Sequence, residues 1–262
     1  MTARSEADAG RLTSSFTDFL RAERPDLLPQ PPSGPAQTLE ATTILALRFA
    51  EGVVLCGDRR ATEGYAIAQR DIEKVFPADS HSAIAIAGAA GPAMEMVRLF
   101  QTELEYYEKV EGESLSLAGK ANHLGRLIRA NLPAAMQGFV ILPLFAGFDT
   151  KRNQGRIYRY DVTGGLWEEA DYHAVGSGGR DAKNSLKKLY TRAEDIDRQR
   201  GIELAVEALA DAAEEDSATA GPDPVRGIYP TVYEVDGVGV RPVVDDTVER
   251  VSREVLEKRT KR

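Results

Sequence analysis

Glu40-Ala41-Thr42-Thr43-Ile44-Leu45-Ala46-Leu47-Arg48-Phe49-Ala50-Glu51-Gly52-Val53-Val54-Leu55-Cys56-Gly57-Asp58-Arg59-Arg60-Ala61-Thr62 is where the chain changes character. Thr42 to Phe49 is a run of β-branched and apolar residues. Glu51-Gly52 interrupts it, and Val53 to Cys56 resumes it, so the pattern predicts a β-hairpin. Upstream, five of the thirteen prolines fall before residue 36. The segment Pro29 to Pro35 sustains neither a helix nor a central strand and reads as an exposed joint. Before it, Ser15 to Arg24 carries Phe16, Phe19 and Leu20 at helical spacing, a short amphipathic piece. The expected organisation is therefore a leader over residues 1–41 and a folded domain over residues 42–262.

Beyond the hairpin, strands are expected at His81 to Ala87, Phe139 to Phe148, Arg156 to Val162 and Leu166 to Glu169. A closing hairpin follows, Tyr229 to Val235 and Val238 to Val243 around Asp236-Gly237. Helices are expected at Pro92 to Tyr107 and Leu115 to Met136, each with an apolar stripe, and at about Asp181 to Tyr190 and Ile202 to Ala213. Strands, two helices, strands, two helices and strands is not the strict alternation of a doubly wound sheet. The order predicts an α+β fold with antiparallel sheets covered by helix pairs. The acidic run Glu214-Glu215-Asp216 and the basic tail Lys258 to Arg262 read as solvated surface, Asp216 apart.

Composition narrows the function. The chain has 262 residues, 42% of them hydrophobic, enough for a sizeable core. Its net charge of −8 argues against a surface devoted to nucleic-acid phosphates. One cysteine, Cys56, permits no internal disulfide and no zinc cluster, which fits a reducing cytoplasm. Neither a secretory signal nor a membrane span is expected, because the longest apolar run, Phe139 to Ala146, is far short of about 20 residues. Val175-Gly176-Ser177-Gly178-Gly179 lacks the first glycine of a nucleophile elbow, and Gly119-Lys120 is no phosphate loop. His81, His123 and His173 lie far apart. No cofactor and no metal are expected.

What remains is the boundary itself. Were the bond after Ala41 cut, Thr42 would carry a free α-amine beside its hydroxyl. A threonine hydroxyl is a poor nucleophile, but an α-amine, with an ordinary pKa of about 7.7–8.0, can take its proton near neutrality. One residue would then supply nucleophile and base in a fixed geometry.

Further along stand Gly57-Asp58-Arg59-Arg60-Ala61-Thr62, Lys74 after Arg70-Asp71-Ile72-Glu73, and Ala87-Gly88-Ala89-Ala90-Gly91. In this order, after a Thr-Thr-Ile strand, they resemble the proteasome β-subunit family of N-terminal-threonine proteases. The likeness runs from Thr42 to about Val243. Glu105 to Lys109, Asn131 to Gly138 and Gly221 to Gly227 are similar to the actinobacterial branch.

The resemblance implies a four-layer αββα sandwich of the N-terminal-nucleophile hydrolase type. It implies Thr42 as nucleophile, Lys74 as the charge that lowers the pKa of the reacting groups, and Asp58 as the holder of Lys74. It implies Gly88 as the oxyanion donor, and Ser177, Asp216 and Thr219 as the network around the amine, with Thr219 where Ser is common. Ala61, Ile72, Phe76, Ile86, Ala90 and Met94 would line an uncharged specificity pocket suited to large apolar residues. Thr62, Gly88 and Ala90 would pair with an extended peptide as an added strand. Residues 1–41 would be a self-removed propeptide, cut between Ala41 and Thr42. Ala41 stands where the family has glycine, and its methyl restricts the turn that self-cleavage needs, so slow processing is expected.

The partners implied are α-subunits, further β-subunits in heptameric rings, a ring-shaped ATPase acting through the α-ring, and polypeptide substrates. Two other classes remain open at this point: a non-catalytic scaffold β-subunit and an amidohydrolase for small amides on the same sandwich.

Overall fold

The computed structural model describes residues Thr42 to Glu63 and Ala66 to Thr260. The expected leader, with its proline-rich joint, its apolar stripe and Ala41, lies outside the described residues.

Among the described residues, twelve strands build two five-stranded sheets and a small hairpin. The first sheet has the order β10-β1-β2-β11-β12, from Tyr172–Gly176, Thr43–Phe49, Gly52–Gly57, Thr231–Asp236 and Gly239–Pro242. The second runs β5-β6-β7-β8-β9, from Val75–Asp79, Ser82–Gly88, Ile141–Asp149, Gln154–Tyr160 and Leu166–Glu169. Every pairing is antiparallel. The hairpin joins β3 (Ala61–Glu63) to β4 (Ala66–Gln69).

The alternation along each strand divides the core into layers. On β1, Leu45, Leu47 and Phe49 face one helix layer, whereas Ile44 and Ala46 face the other sheet. On β6, Ile84 and Ile86 face helices, while Ala83, Ala85 and Ala87 face the first sheet. Alanines at these inner positions let the two sheets approach closely, and burial on both faces explains why β1, β2 and β6 read as continuous apolar runs. Helices α1 (Ala90–Glu111) and α2 (Leu117–Ala130) cover the second sheet through Phe100, Leu124 and Ile128. Helices α4 (Gly179–Leu189) and α5 (Arg198–Glu215) cover the first. The result is the four-layer αββα sandwich, and no helix among the described residues is long and apolar enough to cross a membrane.

Two expectations are corrected. The stretch Leu115 to Met136 is not one helix: α2 stops at Ala130, and a short turn of helix, α3 (Leu132–Ala135), follows with Pro133 near its start. Proline cannot donate the hydrogen bond that would continue α2. At the other end, residues 258–260, expected as solvated surface, form the last turn of α6 (Asp245–Thr260), where Lys258 is exposed but Arg259 is half-buried. Val248, Val251 and Val255 bury its apolar stripe, and Arg259 pairs with Asp211 and Glu214 of α5.

Phe145 anchors the helix-facing core of the second sheet, fully buried and edge-on to Phe100 with ring centroids 5.7 Å apart. Replacing it with alanine is expected to cost about 3–5 kcal/mol. Urea unfolding of the isolated subunit checks this, and a change below about 1 kcal/mol would contradict the layered core.

Candidate active site

Thr42 sits at the mouth of β1, only 5% exposed. Its carbonyl accepts the Ser177 N–H at 3.0 Å. Gly176, at φ +109°, makes this approach possible, because a Cβ there would lie 1.6 Å from that carbonyl oxygen.

Asp58, at the end of β2, is wholly buried and accepts four hydrogen bonds. Its Oδ1 receives the Thr43 N–H at 2.8 Å and the Lys74 ammonium at 2.7 Å. Its Oδ2 receives the N–H groups of Arg60 at 2.9 Å and Ala220 at 3.0 Å. Lys74, with a side chain 4% exposed, also donates to the Arg60 carbonyl. A buried charge pair is retained when its remaining valences are filled, and here they are.

The second cluster comes from the β10–α4 turn and the loop after α5. Ser177 Oγ donates to Asp216 Oδ2 at 2.5 Å, and Thr219 Oγ1 donates to the same oxygen at 2.6 Å. Partial burial works to raise the Asp216 pKa. The bonds from Ser177, Thr219 and the Ala218 N–H, with the charge of Arg60, outweigh it and hold the carboxyl below its ordinary range. Arg60 also ties the two clusters together, its guanidinium donating to the carbonyls of Ser217 and Thr219 at 2.6 and 3.3 Å.

Gly88 ends β6 at φ +105°, where a Cβ would lie 2.1 Å from the Val140 carbonyl oxygen. The glycine is thus demanded by the protein's own backbone. Ile86 donates sideways to Lys74 O, and Ala89 donates to Val140 O on the other side. By alternation the Gly88 N–H points to the side of β5, whose pairing has already ended at Val75. Among the described residues, no strand stands opposite it there.

Thr42 and Gly88 line one small cavity with Ala61, Ile72, Ile86, Ala90 and Met94. Two departures from the sequence expectation stand out. Phe76 is not on this wall, because on β5 it packs against the helix-facing core. Glu73 and Lys74 do contribute to the wall, so it is not wholly uncharged. Lys74 is matched by Asp58. Glu73 is shared with a neighbouring groove that Arg59 and Tyr229 also line.

The sequence reading passed over Thr43, Arg60 and Gly178, all of which hold the site. Thr43 is fully buried, yet β1 could take valine there, and a polar side chain in so apolar a strand was the available signal. Cys56 offers no rival nucleophile, since burial and then the Asp58 charge push its thiol pKa up. Among the described residues no group of three or more His, Cys, Asp or Glu could hold a metal ion.

Residues 38–224 match the proteasome subunit family. A proteasome subunit beta of Acidimicrobium ferrooxidans is 57% identical over 220 residues, 84% of this chain and 80% of that one. Those of Acidothermus cellulolyticus and Streptomyces griseus are 53% and 52% identical over 252 residues, covering 93% and 94% of this chain and 86% and 89% of theirs. With the αββα fold and this extent of likeness, the chain belongs to the proteasome subunit family, on its β-subunit branch.

Proposed function

We propose that the chain is a threonine-type endopeptidase whose residues 1–41 are a propeptide, removed to free the Thr42 α-amine. The observation that carries this reading is the buried Asp58 carboxylate, bonded at once to Lys74 and to the amide that follows Thr42. An ion pair kept at the mouth of a strand, with a cavity against the same threonine, has a chemical use that a scaffold would not require.

In the reaction, the Thr42 hydroxyl attacks the scissile carbonyl as its proton passes to the Thr42 amine. Lys74, held charged by Asp58, favours the neutral amine and the developing alkoxide. The Gly88 N–H donates to the oxyanion of the tetrahedral intermediate. Collapse expels the amine half of the peptide, which takes the proton from the Thr42 ammonium and leaves an ester on Thr42. A water, deprotonated by the same amine, then hydrolyses the ester. Ser177, Asp216 and Thr219 hold the amine in place.

The cavity walls of Ala61, Ile72, Ile86, Ala90 and Met94 favour large apolar residues before the cut bond. Thr62, Gly88 and Ala90 offer backbone to an extended peptide. The relatives' name supports assembly with other subunits into proteasome particles, and on this reading the chain joins α-subunits and other β-subunits in heptameric rings in the cytoplasm. A ring-shaped ATPase would then feed unfolded polypeptide through the α-ring. The reaction as written needs no metal and no cofactor.

Co-expressed with its α-subunit, the assembled chain is expected to lose the mass of residues 1–41, while Thr42→Ala keeps it. A full-length mass in the assembled wild-type particle would point instead to a scaffold, with the Ala41 methyl as the block. Fluorogenic peptides ending in Tyr or Leu should be cut faster than those ending in Arg or Asp, and the reverse order would overturn the pocket assignment.

The pH profile tests the base. Asp216, held below its ordinary range, stays ionised through neutrality, and its stabilising bonds are lost only as pH falls below the unfolded value of about 3.9 and through the folded one. The acid limb of kcat should therefore report the amine, at or below about pH 8. A limb near pH 4 would assign the base to a carboxylate.

A further inference from the structure

We propose that the hydroxyl of Thr43 is a positioning group for the reaction: it fixes the direction of a hydrogen-bond chain that ends on Asp216 and ties that carboxylate to the strand carrying Thr42. The inference rests on the reading of Thr42 as nucleophile.

The chain has one consistent direction. Asp216 is ionised and can only accept, so the single hydroxyl protons of Thr219 and Ser177 both go to its Oδ2, at 2.6 and 2.5 Å. Thr219 Oγ1 then has lone pairs alone to offer Thr43 Oγ1, which lies 2.6 Å away. Thr43 must be the donor in that contact. Its own lone pair receives the Gly178 N–H at 3.0 Å. The sequence is Gly178 N–H to Thr43, Thr43 to Thr219, and Thr219 to Asp216, each link polarising the next.

Thr43 also joins the two halves of the site. Its amide donates to Asp58 on the Lys74 side, and its hydroxyl donates toward Asp216 on the other. The two hydroxyls are tightly enclosed, because a Cβ on Gly178 would lie 2.7 Å from Thr43 Oγ1 and 2.8 Å from Thr219 Oγ1. The same chain leaves Ser177 Oγ with lone pairs only, the form that accepts from an ammonium at Thr42.

The test is steady-state kinetics on assembled particles, with active sites counted by a peptide β-lactone that acylates Thr42. Thr43→Val is expected to lower kcat per labelled site about tenfold to thirtyfold, the size of one hydrogen bond to a charged network. KM should change less than about twofold, because Thr43 touches no substrate. Thr43→Ser should restore kcat to within about threefold of the wild type, since it restores the donor. Thr219→Val breaks the next link and should give the same kcat loss at unchanged KM. Should Thr43→Val fail to assemble, Thr43→Ala takes its place with the same expectation. Wild-type kcat per site in Thr43→Val, or in Thr43→Ala where it takes that place, or in Thr219→Val would overturn the relay alone. An assembled wild-type particle that neither turns over nor reacts with the lactone would overturn the proposed function, and the relay with it.

Discussion

The rest of the structure is arranged around one buried ion pair, Asp58 with Lys74. A carboxylate wholly shielded from water is tolerated only when its lone pairs are filled, and filling them fixes four separate backbone segments: Thr43, Arg60, Lys74 and Ala220. Those segments begin β1, follow β2, precede β5 and follow α5. The pair therefore gathers the ends of both sheets and one helix loop about Thr42. Loss of either partner would strand an uncompensated charge in the core.

The sandwich supplies the rigidity that this arrangement needs. β1 is buried on both faces, so its register against β2 and β10 cannot slip by one residue without turning Leu45 and Leu47 toward the other sheet. Thr42 is consequently held at a strand end rather than on a free loop. On the facing sheet, the crowded turn at Gly88 and Val140 orients the peptide N–H at the opposite wall of the same cavity. The proposed nucleophile and oxyanion donor thus come from different sheets, and the alanine-rich layer between the sheets sets their separation.

Much of this was legible in the sequence, and the physical reasons differ from part to part. Strands buried on both faces announce themselves as apolar runs, so β1, β2, β6 and β7 were readable. The Gly-Asp-Arg-Arg motif and Lys74 were readable only through their likeness to the proteasome β-subunit family, since a charged pair beside a core strand reads equally as a surface ion pair. The pocket was less so: Phe76 has the right chemistry but falls on the helix-facing side of β5, a matter of strand parity that a bulge between Pro77 and Asp79 obscures. α6 was hidden by its charges, since only Val248, Val251 and Val255 mark its buried stripe. Thr43 and Arg60 act through contacts made by folding, with partners 176 and 157 residues away, and spacing along the chain carries no trace of them.

The most direct measurement is the behaviour of Asp58→Asn in the assembled particle. The amide keeps the shape of the site but leaves the Lys74 ammonium unneutralised. Propeptide removal and peptide turnover per particle should each fall at least about 100-fold, the effect of roughly 3 kcal/mol lost at a buried charge. Processing and turnover at wild-type rates in the Asp58→Asn particle would contradict the account, because the site would then be working without the interaction on which its geometry depends.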